Sequence, residues 1–534
     1  MPVRAWSVAD VRAAEAAAMA RLPEGELMAR ASRALARLVS GRLDPRGSDV
    51  VVVLVGPGNN GGDALFAAAL LARTDLPGRL SCVLTFPRAH AGGLAAVRAA
   101  GIPVLDAAAD PDLALAELSR ADLVLDGIAG IGGRPGLPPQ VARLVEAVPE
   151  SAYVVAVDLP SGLDPAGEVS GPVCLPADQT VTFGVAKPVH VLVTAPLCGE
   201  VRIVDIGLDV AGMPTPSAER LLPADVPALW PVPGPADDKY RRGVLGVVAG
   251  GEGYSGAALL TVLAAVCAGA GMVRYVGPPT PSGLIRAQVP EVVHGAPTGS
   301  QRVQAWVVGP GLDPAEVTPA GRAQSDATRA ALAGDLPCVV DAGGLDLLDG
   351  PRPAAGAVTL LTPHAGELAR LLTRLDAAGR RGSGRIGHGV GHAAGQGGGS
   401  HRRGGRSGPV DVADVQARPV EFARRAADLL HATVLLKGST TLVVPPSATG
   451  LPIRAQADAP AWLATAGAGD VLAGLVGMLL AAGLDPLNAG SLAALVHGLA
   501  AHQANPGGPI RAMRVAQAIP KVVAGVLQRG VTEG

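Results

Sequence analysis

Aromatic side chains are scarce in this 534-residue chain, at 2% of residues. With hydrophobic residues at 49%, the core must be filled by Ala, Val and Leu. Charge of one sign is also missing. Forty-four basic and 46 acidic residues leave a formal net charge of -2, which speaks against a nucleic-acid or anionic-membrane partner. Cysteine is sparse: Cys82, Cys174, Cys198, Cys267 and Cys338 are scattered, odd in number and without C-x-x-C spacing. A disulfide framework or zinc site is thereby disfavoured, and a reducing, cytoplasmic compartment is expected. The N-terminus lacks the apolar run of a signal peptide, because Asp10, Arg12 and Glu15 interrupt it. The uncharged run 253–273 is rich in Ala and Gly rather than Leu and Ile and follows a polar Gly-rich turn. It reads as a buried helix rather than a membrane span.

What is present is a repeated strand–helix pattern, in a chain too long for one core. Nearly continuous apolar runs at 51–56, 81–86, 121–126, 153–158, 179–184 and 201–207 read as strands buried on both faces of a parallel sheet. Residues 8–38 read as one or two helices ahead of it. The pattern resumes at 243–250, 273–278, 305–311, 337–343, 358–363 and 433–438, and Ala-rich helical stretches close the chain. Between the blocks the Pro-rich passage 213–235 reads as a linker. The expected architecture is α/β, with domains at 1–215 and 237–534 joined by a linker at 216–236. Residues 377–409 are Gly-rich and basic with little to bury, which predicts a disordered insertion. Its His388, His392 and His401 are assigned no role.

In the first block, three strand ends carry polar residues. Pro57-Gly58-Asn59-Asn60-Gly61-Gly62-Asp63 follows the first strand. Asp126 precedes a loop containing Gly130, Ile131, Gly132, Gly133, Arg134, Pro135 and Gly136. Asp158-Leu159-Pro160-Ser161-Gly162 ends another strand. Any one Gly-rich loop could be a plain turn. Three on one sheet edge, where open α/β sheets bind ligands, point to a nucleotide-like molecule held by backbone N–H groups. The first loop is not a P-loop, because the terminal Lys-Ser/Thr is missing.

These loops, with TFGVAKP and VDIG after them, resemble the N-terminal domain of the YjeF family, the NAD(P)H-hydrate epimerases. The resemblance implies a Rossmann-like three-layer domain. It places the hydrated dinucleotide on Asn59, Asn60, Gly61, Gly62, Asp63, on the loop from Gly130 to Gly136, and on Asp158. It further implies a potassium ion at Asn60, Asp126 and Ser161, with Asp158 as general acid/base. Lys187 is either a positioning residue or a solvated surface lysine. Val189 stands where the family pattern has Gly.

In the second block, Ala464-Thr465-Ala466-Gly467-Ala468-Gly469-Asp470 leads into an apolar helix. Its backbone could cradle a phosphoryl group, with Asp470 as base toward an acceptor hydroxyl. The alternative is that Asp470 only caps the helix. This turn, with Lys437-Gly438-Ser439-Thr440-Thr441, resembles the ribokinase-like superfamily. Lys239, GVLGVVAGGEGYSGA, VVGPGLD and LTPHAGELARLL narrow the resemblance to the ADP-dependent NAD(P)H-hydrate dehydratases. It implies that Ala257, Gly311, His364 and Asp470 contact the hydrated nucleotide. Lys437, Gly438, Ser439, Thr440, Thr441 and Gly469 would hold ADP, with Mg2+ on its phosphates. Read without that context, His364 is an ordinary buried histidine. Two departures stand out: Ala468 replaces a common Thr, and Gly343 stands where a second carboxylate of a D-A-D motif would be.

The expected partners are hydrated NADH or NADPH and ADP, with no nucleic acid and no membrane, in a homo-oligomer. The competing readings are a vitamin-precursor kinase of the same superfamily and a non-catalytic YjeF-type binding domain.

Overall fold

The computed structural model describes residues 2–74, 78–295, 302–383 and 408–532, which fall into two compact units meeting between Arg220 and Leu221. In the N-terminal unit the strands are β1 (Val3–Ala5), β2 (Val50–Val55), β3 (Arg79–Leu84), β4 (Val104–Asp106), β5 (Leu123–Gly127), β6 (Tyr153–Val157), β7 (Gln179–Phe183), β8 (Glu200–Val204) and β9 (Ala218–Arg220). Seven of them form a wholly parallel sheet in the order β4-β3-β2-β5-β6-β7-β8. β1 and β9 lie outside that sheet and pair antiparallel with each other.

The apolar runs are continuous because both faces are covered. Val51, Val53 and Val55 pack with Leu35, Val39, Leu65 and Ala68 on one side. Val52 and Leu54 pack with Ala114, Leu118, Val141 and Leu144 on the other. This is the three-layer Rossmann-like arrangement. The chain starts at β2, winds outward to β4, then returns to β5 and winds the other way. The switch point therefore lies between β2 and β5, where such sheets open a crevice for ligands.

In the C-terminal unit the strands are β10 (Val244–Val248), β11 (Met272–Val276), β12 (Val293–His294), β13 (Ala305–Val308), β14 (Cys338–Val340), β15 (Thr359–Leu361), β16 (Thr433–Leu436), β17 (Thr441–Val444) and β18 (Ile453–Gln456). Their order is β18-β17-β16-β15-β14-β13-β10-β11-β12. The run from β16 to β12 is parallel, whereas β16–β17 and β17–β18 are antiparallel. The uncharged run becomes the helix Ser255–Cys267, which lies against the helix Ala468–Ala481. They approach so closely that a Cβ on Gly474 would stand 2.1 Å from the Thr261 carbonyl oxygen. Such close approach is how an aromatic-poor chain reaches interior density. No helix among the described residues is long and apolar enough to cross a membrane.

Two expectations need correction. The passage 213–235 is not a free linker. It contributes β9 to the N-terminal unit, and its Leu221, Val226 and Trp230 are buried in the core of the C-terminal unit. Prolines here begin short helices at Pro223–Asp225 and Val226–Leu229, because a ring at the first turn forfeits no helical hydrogen bond. Of the Gly-rich stretch 377–409, the first seven residues continue the helix Ala365–Ser383, and 384–407 lie outside the described residues, His388, His392 and His401 among them.

Candidate active sites

At the N-terminal switch point a cavity of about 1840 Å³ opens over the sheet edge. Asn59, Asn60, Asp63, Gly130, Ile131, Gly132, Gly133, Arg134, Pro135, Gly136 and Asp158 all line it. Gly61 and Gly62 lie beneath as buried residues of the helix Asn59–Leu71. A Cβ on Gly61 would meet the Gly56 carbonyl oxygen at 2.2 Å, so only glycine allows this turn. The loops are stitched together from below. The Asn60 amide donates to the carbonyls of Ala129 and Val157, both at 2.9 Å. Asp126 accepts from the Ser161 backbone N–H at 2.8 Å, the Ser161 hydroxyl at 2.6 Å and the Ile128 N–H at 3.2 Å. Asp126 is fully buried, and burial pushes its carboxyl up to about 6.

Asp158 sits in the left-handed region at φ 68°, just past β6. Its Oδ1 receives Lys187 Nζ at 2.7 Å and the Thr182 hydroxyl at 3.0 Å. Lys187 is 1% exposed and also donates to the Thr182 hydroxyl at 2.8 Å and the Phe183 carbonyl at 3.0 Å. It is therefore a buried counter-ion, not a solvated surface lysine. Burial alone would raise the Asp158 carboxyl. The charge and hydrogen bond of Lys187, then His190 and Thr182, outweigh it and hold the group below the usual carboxylate range.

His190 and Glu15 escaped the sequence reading. His190 Nδ1 accepts from the Lys187 N–H at 3.0 Å, so Nε2 carries the proton and donates to the Asp158 carbonyl at 2.8 Å. One neutral imidazole thus ties together the backbones of both members of the ion pair. Burial, with Lys187 nearby, drives its pKa down to about 4 and keeps it neutral. The only signal was its place three residues after Lys187 in a 3-10 turn. Glu15 reaches the cavity from the helix Val8–Met19, far away in sequence.

In the C-terminal unit, side chains from five segments converge. Lys437, past β16, places Nζ 2.9 Å from Asp341 Oδ1 and 3.6 Å from Glu367 Oε2. Asp341 also accepts from the Thr362 hydroxyl at 2.8 Å. Gly469 lies alongside: a Cβ there would be 3.3 Å from Lys437 Nζ. Asp470 is in the first turn of the helix Ala468–Ala481, whose N-cap is Gly467 at φ 86° with no side-chain cap. The capping alternative for Asp470 therefore fails. Its carboxyl is pushed up to about 7, first by burial and next by Asp341, with Lys437 opposing.

Gly438, Ser439 and Thr440 form the turn between β16 and β17, and Thr441 begins β17. The Thr440 hydroxyl is buried and unpartnered in the structure. Ala257 and Gly311 meet: a Cβ on Gly311, at φ 65°, would be 2.7 Å from the Ala257 Cβ. The His364 side chain is 55% exposed, so it is not an ordinary buried histidine. Its Nδ1 accepts from Gly366 N–H at 3.0 Å, and the Glu367 carboxylate accepts from His364 N–H at 2.8 Å.

Gly343 is not simply a lost carboxylate. A Cβ there would stand 2.1 Å from the Leu312 carbonyl oxygen and 3.1 Å from Pro314 Cδ. Gly343→Asp is expected to lower stability by about 1–3 kcal/mol through overpacking, read as an earlier urea midpoint, without raising activity.

The fold and sites define a class: a two-unit α/β protein with a crevice at the sheet's switch point in one unit and a Gly-rich turn at a helix start beside a Lys–Asp pair in the other. A family profile described as NAD(P)H-hydrate dehydratase matches residues 245–521, and one described as YjeF-related protein N-terminus matches 24–189. The bifunctional NAD(P)H-hydrate repair enzyme Nnr of Mycobacterium tuberculosis is 42% identical over 90% of this chain and 89% of its own length. An NAD(P)H-hydrate epimerase of Clavibacter michiganensis is 43% identical over 39% of this chain and 92% of its own. The ADP/ATP-dependent NAD(P)H-hydrate dehydratase of Bacillus subtilis, crystallised with ATP and Mg2+, is 23% identical with a TM-score of 0.46, covering 57% of this chain and 98% of that one. The chain belongs to the family of bifunctional NAD(P)H-hydrate repair enzymes.

Proposed function

We propose that the chain restores hydrated NADH and NADPH. Its N-terminal unit interconverts the R and S forms, and its C-terminal unit dehydrates the S form at the expense of ADP. The observation that carries this reading is Asp470: a half-buried carboxyl, not the helix N-cap, beside the Gly-rich turn and Lys437.

In the dehydratase site, Asp470 takes the proton of the C6 hydroxyl as that oxygen attacks the β-phosphorus of ADP. The bond from the β-phosphorus to the bridging oxygen breaks, and AMP departs. The C6–O bond then breaks with phosphate as leaving group, the ring nitrogen supplies the electron pair, and the departed phosphate takes the C5 proton, which restores the dihydropyridine. The turn at Gly467, Ala468 and Gly469 binds through backbone N–H groups, so loss of a hydroxyl at Ala468 leaves the cradle in place. Lys437, Gly438, Ser439, Thr440 and Thr441 face ADP. Ala257, Gly311 and His364 face the hydrated ring. Asp341, Glu367 and Asp470 set three carboxylates around one ammonium, a negative excess that Mg2+ would balance. When bound, Mg2+ supplies positive charge to the phosphates.

In the epimerase site, Asp158 exchanges the proton of the C6 hydroxyl, and Lys187 with His190 holds it in place. The donors at Asn60, Asp126 and Ser161 are oxygens. Asp126 is buried, and no basic side chain bonds it among the described residues, which suits a potassium ion. Potassium would supply the missing positive charge beneath the loops.

The test is to give each epimer separately to the full-length protein with ADP and follow recovery of the NADH absorbance. The S form should be consumed directly and the R form only through epimer exchange. A vitamin-precursor kinase would prefer ATP and leave both untouched. Dehydration should also depend on pH. Asp470 must be ionised to act as base, so the rate is expected to climb as pH rises through about 7 and then level off. A rate flat across that range would assign the base elsewhere.

A further inference from the structure

Asp63 lies one turn into the helix Asn59–Leu71 and lines the N-terminal cavity. Its Oδ1 is buried and accepts no hydrogen bond. The Ser32 hydroxyl bonds the carboxyl and favours its ionised form, but an ionised oxygen buried without a donor is costly, and protonation lowers that cost. The charged groups around it are Asp158, Glu15 and, beside Glu15, Arg12 and Lys187. His90 and Arg134 also belong to the cavity wall. Burial first, then the negative charges of Asp158 and Glu15, hold the Asp63 carboxyl well above its ordinary range.

Asp158 is the opposite case, ionised by its pairing with Lys187. The two come from different places on the same edge. Asp63 follows β2 and Asp158 ends β6, and those strands flank β5. Both carboxyl groups line the one cavity, Asp63 from the helix that follows β2 and Asp158 from the end of β6. Gly130, past β5, keeps that space clear: a Cβ there would be 3.2 Å from Asp158 Oδ2. One protonated and one ionised carboxyl in the same cavity make an acid and base pair.

We propose that Asp63 is the general acid of the epimerase site, complementing Asp158 as its base. The inference rests on the epimerase reading above. The Asp63 proton passes to the C6 hydroxyl as the C6–O bond breaks. Water leaves, and the ring nitrogen's electron pair stabilises the cation. Water then adds to the other face and gives its proton to Asp158. After one conversion Asp63 is ionised and Asp158 protonated. The reverse conversion, or exchange with solvent, resets both.

The experiment is epimer exchange by full-length Asp63→Asn and Asp63→Glu across pH. Asn keeps the shape and removes a buried acid, so its Tm is expected at or above wild type. Its kcat should fall about 10²–10⁴-fold with KM within a few-fold. The alkaline decline of the wild-type profile, where Asp63 loses its proton, should disappear from the residual rate. Asp63→Glu should recover part of kcat. An Asn variant that keeps the wild-type kcat and alkaline decline, or that changes KM alone, overturns the proposal. A wild-type protein without epimer exchange removes the underlying reading and this role with it.

Discussion

Asp470→Asn is expected to lower ADP-dependent dehydration by about 10²–10⁴-fold while leaving epimer exchange at the wild-type rate. The amide fills the same space but cannot take the hydroxyl proton. Stability supplies an internal control. The folded-state pKa of Asp470 is raised to about 7, well above the ordinary carboxylate range. A raised carboxyl contributes stability only while protonated, and that contribution is lost as pH rises from its unfolded value through about 7. The amide has no such loss, so above that range the variant should melt no lower than wild type. Inactivity with an unchanged or higher Tm isolates the chemical role. Full dehydration by a well-folded Asn variant would remove Asp470 from the mechanism.

Asp158→Asn is expected to produce the reciprocal result: epimer exchange falls by about 10²–10⁴-fold, and the S form is still dehydrated. Asparagine suits the backbone here, because it is among the few non-glycine residues that tolerate the left-handed region. The variant leaves the Lys187 ammonium buried against neutral acceptors, at a cost of up to about 3–5 kcal/mol. Activity is therefore compared well below the variant's own Tm. Mixed epimers make the readout simple. Wild type consumes the whole sample with ADP, whereas the variant should stop once the S fraction is spent. Complete consumption at the wild-type rate would assign the proton exchange elsewhere.

The parallel sheets were legible because strands covered on both faces carry unbroken apolar runs, as Val51 to Val55 do. Short strands were not. Val104–Asp106 is three residues, too few to establish a period. Thr441–Val444 follows a turn read for its ligand chemistry, and its antiparallel pairing left no mark in composition. The loops of both sites were visible as glycine clusters at strand ends. The charge relations within them were not. Lys187 reads equally well as a surface lysine until the Asp158, Thr182 and Phe183 acceptors are placed around it. Glu15 enters a cavity built mainly from residues far along the chain. Gly343 registers in sequence as a missing carboxylate, and only packing reveals that no side chain fits there.

The crossing at Gly474 has a mechanical consequence. It lies four residues after Asp470, and its neighbour Thr261 lies four residues after Ala257, so each is about one turn from a site residue. The Thr261 hydroxyl also grips the Ala257 carbonyl at 2.9 Å. The crossing holds the helix that carries Ala257 against the helix that carries Asp470 backbone to backbone. The separation of those two residues is thus set by packed backbone, and any substrate that bridges them must match it.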